Sequence, residues 1–148
     1  MNDAAKGAAA PISFWIVSVV SLLWNGFGGY DYVMSRQRNV EYLGQMGNAE
    51  ELLAWIDAFP MWAQVLWPIG VWGSVLGSVL LLLRSRHAVT AFVVSLLGAV
   101  GSFAGQMGSA LPPSMDNTVN RVMPIAILVI IAALWWYARK VRSQGILR

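Results

Sequence analysis

Charge is missing from four long stretches of this chain, and that absence constrains its fold more than any other feature. Ten Lys and Arg and seven Asp and Glu residues fall in short intervals, leaving Gly7–Tyr30, Ala58–Leu83, Ala88–Met115 and Val122–Ala138 with none. A helix of about 20 apolar residues crosses ~30 Å of hydrocarbon, and each stretch reaches or approaches that length. A helix at the surface of a soluble domain carries polar residues along one whole face. Here the charges sit only at the ends. The expected fold class is all-α: an integral membrane four-helix up-down bundle.

Composition agrees. Of 148 residues, 57% are hydrophobic and 11% charged, against about 25% charged in soluble domains. The length suits one bundle, so residues 1–148 read as a single transmembrane domain. Its spans are expected at about 12–31, 61–83, 88–107 and 121–138, with an outer loop over 32–60. Without cysteine, disulfides, thiolate chemistry and cysteine-ligated zinc are excluded. The net charge is +3, but the basic residues border the spans. There they act as topology determinants, which argues against nucleic acid as a partner. The first stretch reads as a retained span, because Trp24-Asn25-Gly26-Phe27-Gly28 does not match an Ala-x-Ala cleavage site.

The two sides differ in charge. Lys6, Arg84, Arg86, Arg139, Lys140, Arg142 and Arg148 fall on the side of the termini, seven in all, against Arg36, Arg38 and Arg121 opposite. The positive-inside rule then places both termini in the cytoplasm. Trp135, Trp136 and Tyr137 mark the inner interface, and Tyr30, Tyr32 and Trp62 the outer one.

Between the spans, the link Arg84–His87 is short enough to force spans two and three into an antiparallel hairpin. In the outer loop, Asn48 followed by Glu51 reads as a helix start. With Leu52, Leu53, Ile56 and Phe59 at helical spacing, a short amphipathic surface helix is expected over 49–59. Pro112-Pro113 is turn chemistry, Pro68 falls inside span two, and Pro124 reads as a first-turn residue of span four. Small residues recur in span two (Gly70, Gly73, Ser74, Gly77, Ser78) and span three (Ala91, Ser95, Gly98, Ser102, Gly105). Such stripes let helix backbones approach closely, and across a tight hairpin they are expected to pack on each other.

Polar residues inside the spans gather in the outer half. Asn25, Asp31, Gln64, Gln106 and Arg121, with Trp24, Trp67 and Trp72, form the candidate ligand-binding set, because intramembrane polar groups are functional candidates. The competing reading is that the amides bond between helices and that Asp31 pairs with Arg121. No nucleophile triad, phosphate-binding loop, metal cluster or cofactor signature occurs. The expectation is a non-enzyme without cofactor.

Several runs carry a resemblance: Trp24-Asn25-Gly26-Phe27-Gly28 with Asp31-Tyr32-Val33-Met34, Pro60-x-Trp62, Trp67-x-x-Gly70-Val71-Trp72, Gly77-Ser78-x-Leu80-Leu81-Leu82-Leu83 and Phe92-x-x-Ser95-Leu96-x-Gly98. From Phe14 to Met107 the chain resembles a family of small four-span bacterial inner-membrane proteins, sometimes labelled sugar transporters. The hairpin with its leucine run also resembles DoxX-type four-span proteins. Neither resemblance supplies catalytic residues. The first-span glutamate of small multidrug transporters has no counterpart here. Two functions follow as expectations: handling of a small polar or amphipathic ligand at the outer mouth, or service as an accessory subunit of a larger membrane complex. Beyond the bilayer, the expected partner is a second copy or such a complex.

Overall fold

Each charge-free stretch becomes one helix, and two of the four continue well past the charges that border them. The computed structural model describes residues 7–148. In order it contains α1 (Ile12–Arg36), α2 (Val40–Met46), α3 (Ala49–Asp57), α4 (Met61–Leu82), α5 (Ala88–Gln106), a 3₁₀ turn at Pro113–Met115 and α6 (Thr118–Ser143). The helices α1, α4, α5 and α6 are long and apolar enough to cross a membrane. The shortest, α5, has 19 residues and is roughly 28 Å long at 1.5 Å per residue. The fold is an all-α, multi-pass membrane bundle with a small helical cap on the face opposite the termini.

The bounds differ from the expected spans in an instructive way. Helix α1 runs through Asp31 to Arg36, and α6 starts at Thr118 rather than near Arg121 and ends at Ser143. Charges end the hydrocarbon-compatible segment but do not end a helix, whose bonds continue into water. The earlier start of α6 moves Pro124 out of the first turn into the helix interior, where it removes a backbone donor and frees a carbonyl one turn back. Helix α4 likewise runs unbroken through Pro68.

The hairpin α4–α5 is the centre of the bundle. An added Cβ on Gly98 would lie 2.6 Å from the Gly70 nitrogen, and one on Gly73 would lie 2.9 Å from Ser95 Cβ. Gly77 is closed by the Phe92 ring at 2.8 Å. Ser95 Oγ donates to the Gly70 carbonyl at 2.6 Å. The glycines of α4 therefore face α5, as their spacing leads one to expect. Ser78 of the same stripe does not: it turns toward α1, where it meets Ser21 and Asn25, while Ser74 donates to the Val71 carbonyl of its own helix. Helix α1 packs on the other flank of α4, and α6 packs chiefly on α5.

On the terminal side the helices share one apolar cluster of Phe14, Leu81, Phe92, Leu134, Ala138 and Val141. The C-terminal residues Ile146 and Leu147 are buried in it. Gly145, at φ +74°, ends α6 with the Ile146 amide donating to the Val141 carbonyl, the double-bonded helix stop that a left-handed residue permits. The chain then turns back onto the hairpin. The Arg148 amide donates to the Arg84 carbonyl and the Arg86 amide donates to the Arg148 carbonyl, each at 2.8 Å. Arg84 spends its guanidinium on the Ile146 carbonyl at 3.0 Å and the Ala8 carbonyl at 2.6 Å.

Gly98 and Gly26 test the hairpin contact. Gly98→Val pushes side-chain atoms into the α4 backbone and is expected to cost about 1–3 kcal/mol, or to prevent accumulation of folded protein. At Gly26 an added Cβ meets nothing within 4 Å, so Gly26→Ala should be neutral or stabilising by up to about 1 kcal/mol. Thermal melts of the purified variants, read by size-exclusion chromatography, separate the two.

Candidate functional site

The polar face of α1 is used in two ways, and the division falls about midway along the helix. In its middle, α1 faces Ser78 of α4, whose Oγ donates to the Ser74 carbonyl at 2.9 Å and so has no proton left to give. The 2.6 Å contact between Ser21 Oγ and Ser78 Oγ must then have Ser21 as donor. Asn25 Nδ2 donates to Ser78 at 2.9 Å and reaches Ser21 at 3.4 Å. All three side chains are buried. Asn25 is thus part of the joint between α1 and α4 and does not line an open mouth. Hydrogen bonds of this kind hold membrane helices together in the absence of a hydrophobic drive between them.

Toward the cap, α1 carries Asp31, the one carboxylate on the four long helices. It accepts a hydrogen bond from the Tyr42 hydroxyl of α2 at 2.8 Å. Burial, and then the Asp31 carboxylate it donates to, hold the Tyr42 phenol well above its ordinary value of 10.0. Asn39 positions Tyr42: its side chain caps α2 by accepting from the Tyr42 amide at 2.9 Å. Tyr42 was not legible as a site residue, although Asn39 ahead of Leu43 is a helix-start signal.

Beside this pair runs a relay of aromatic rings. Trp72 and Trp67 of α4 lie 6.2 and 5.0 Å from Tyr32 of α1, edge to face. Trp67 continues to Phe59 at 6.4 Å, and Phe59 to Trp55 of α3 at 4.8 Å. Edge-to-face pairs contribute about 0.5–1.5 kcal/mol each beyond burial, so the rings fasten the cap to α1 and α4. Asn48 caps α3 as its sequence suggests, accepting from Glu50 and Glu51 amides. Its own amide donates to Ser114 Oγ at 3.0 Å, which docks the α5–α6 loop on the cap. Between α3 and that loop lies an open groove of about 440 Å³ lined by Trp55, Ala58, Pro112 and Pro113.

The remaining candidates are dispersed. Gln64 donates to the Phe59 carbonyl at 3.1 Å and accepts from Arg36 at 3.4 Å, near the cap ends of α1 and α4. Gln106 donates to Ser102 on its own helix. Arg121 pairs with Asp116 at 2.6 Å, so the Asp31–Arg121 ion pair is not formed. Each finds a nearer partner, because Asp116 lies just ahead of α6 and α1 packs on α4. Trp24 is exposed on the outward face of α1. The structure brings Asp31, Gln64, Trp67 and Trp72 to the cap end of the α1–α4 side, places Asn25 deeper in the same α1–α4 joint, and separates them from Gln106, Arg121 and Trp24.

Arg38 stands at φ +55°, a strained position for a residue with a Cβ. Its guanidinium forks onto Asp57 at 2.8 and 3.1 Å, closing α2 and α3 into a unit. Together these contacts define the class of protein: a capped four-helix membrane bundle whose intramembrane polar groups are mostly engaged with one another. No family model, curated protein or solved structure matches the chain.

Two tests follow from this geometry. Ser78→Ala removes the acceptor shared by Ser21 and Asn25 and should cost about 1–2 kcal/mol in a thermal or denaturant melt, at roughly 0.6 kcal/mol per average bond between membrane helices. The Arg38 hydrogen bonds, and then its charge, hold the Asp57 carboxyl below its ordinary 3.8. With the folded value depressed, the pair's stabilisation is complete above 3.8 and is lost as pH falls through the lower folded value. Wild type should melt above Asp57→Asn at neutral pH, and the two should converge once the carboxyl is protonated.

Proposed function

We propose that this chain is a multi-pass protein of a bacterial inner membrane that serves as an accessory or scaffold subunit of a larger membrane assembly, with both termini cytoplasmic. The observation that carries this reading is the use of its intramembrane polar side chains. Ser21, Asn25 and Ser78 join α1 to α4, and Ser95 joins α5 to α4. These groups hold the bundle rigid. The orientation rests on the charge count across the bilayer, and the bacterial membrane on the resemblance of residues Phe14 to Met107 to small four-span proteins.

One specific observation favours a second reading, ligand handling at the capped face. Asp31 is a lone carboxylate on a spanning helix, and its partner Tyr42 belongs to the cap rather than to the bundle. A cap that moved would expose a carboxylate flanked by aromatic rings, which suits a polar or amphipathic molecule bearing a positive charge.

Gentle purification followed by native mass spectrometry distinguishes the two. The scaffold reading predicts a stoichiometric protein partner that is retained by Asp31→Asn. Recovery of a bare monomer carrying a small molecule that Asp31→Asn loses would overturn it in favour of ligand handling.

A further inference from the structure

The terminal end of α6 carries a surface that the bundle does not use. Trp136, Arg139, Lys140 and Ser143 line a shallow groove of about 490 Å³. Their spacing, three, one and three residues, places them on one helix face across two turns. Arg139 lies 5.1 Å from the Trp135 ring centre, and Lys140 lies 5.4 Å from that of Trp136. Each cation is therefore steered along an indole at the depth where tryptophans meet lipid headgroups. Neither pairs with a carboxylate among the described residues, whose ion pairs are Arg38–Asp57 and Arg121–Asp116. The described residues of this face include no Asp or Glu at all.

We propose that this groove binds the headgroup of an anionic phospholipid. The phosphodiester sits between Arg139 and Lys140, and an acyl chain runs up the outward stripe of Trp136, Ala133 and Val129, all exposed. Ser143 refines the choice of headgroup. Its hydroxyl donates to the Lys140 carbonyl at 2.7 Å, so it presents lone pairs outward and accepts from a headgroup hydroxyl. A headgroup amine finds no carboxylate among the described residues that line the groove. That chemistry selects phosphatidylglycerol over phosphatidylcholine or phosphatidylethanolamine. Basic clusters at the membrane surface attract anionic lipid in general; the indoles and the hydroxyl make this one a site.

The test titrates the purified full-length protein with phosphatidylglycerol or phosphatidylcholine and counts bound lipid by native mass spectrometry. Wild type should bind phosphatidylglycerol about thirtyfold more tightly, as expected for two cations at the surface. Arg139→Gln/Lys140→Gln should abolish the preference, whereas Arg86→Gln/Arg142→Gln, which removes the same charge elsewhere on this face, should keep it. Equal binding of the two lipids by wild type overturns the proposal whatever the variants do. So does equal loss in both double variants, which would indicate general surface charge, or displacement of phosphatidylglycerol by millimolar inorganic phosphate, which would indicate a free-anion site.

Discussion

The contact on which the rest of the structure depends is the backbone-to-backbone approach of α4 and α5. Lipid supplies no hydrophobic force between apolar helices, so association rests on close packing and on hydrogen bonds across the interface. Gly70, Gly73, Gly77 and Gly98 remove the side chains that would hold the helices apart. Ser95 then reaches the Gly70 carbonyl, a bond possible only at that separation. The five residues 83–87 between α4 and α5 hold the two helices in register. Helices α1 and α6 are added to this hairpin, one on each flank.

Three helices end alike, and the endings organise both faces. After α1, α4 and α6, a left-handed residue (Arg38, Arg84 or Gly145) lets the next amide bond back five residues. Glycine adopts this conformation freely, whereas arginine pays roughly 1–2 kcal/mol for it. Both arginines use the position to deliver their guanidinium groups. Arg38, just after α1, ties the start of the cap to α3 through Asp57, and Arg84 ties the terminal face together through two carbonyls. A residue that is strained locally is thus the anchor of each end of the bundle.

The distribution of charge made four spans and their alternation legible, because a membrane core penalises charge more strictly than any soluble environment. The glycine spacing made the α4–α5 interface legible for the same reason: close approach has few solutions. What stayed hidden depends on partners distant in the chain. Asn25 reads as a mouth residue until Ser78, 53 positions on, is placed beside it. Helix α2 has only seven residues, too few for periodicity to declare itself, and with it Tyr42 was missed. The basic C-terminal tail concealed Ile146 and Leu147, whose burial depends on a turn at Gly145. Of the candidate set, Asp31 has its partner in the cap, whereas Asn25 and Gln106 are absorbed into the helices themselves.

The close approach of α4 and α5 can be measured directly, because the chain has no cysteine of its own. Gly73→Cys and Ser95→Cys introduced together place two thiols where an added Cβ at position 73 lies 2.9 Å from the existing Cβ of Ser95, within reach of a disulfide after slight relaxation. Mild oxidation in native membranes should close that bond within one chain, seen as a loss of about two mass units per molecule. A control pair at Phe27 and Leu97, both exposed on outward faces, should stay reduced. Failure of the 73–95 pair to close, or closure only between two chains, would contradict the hairpin on which this structure is built.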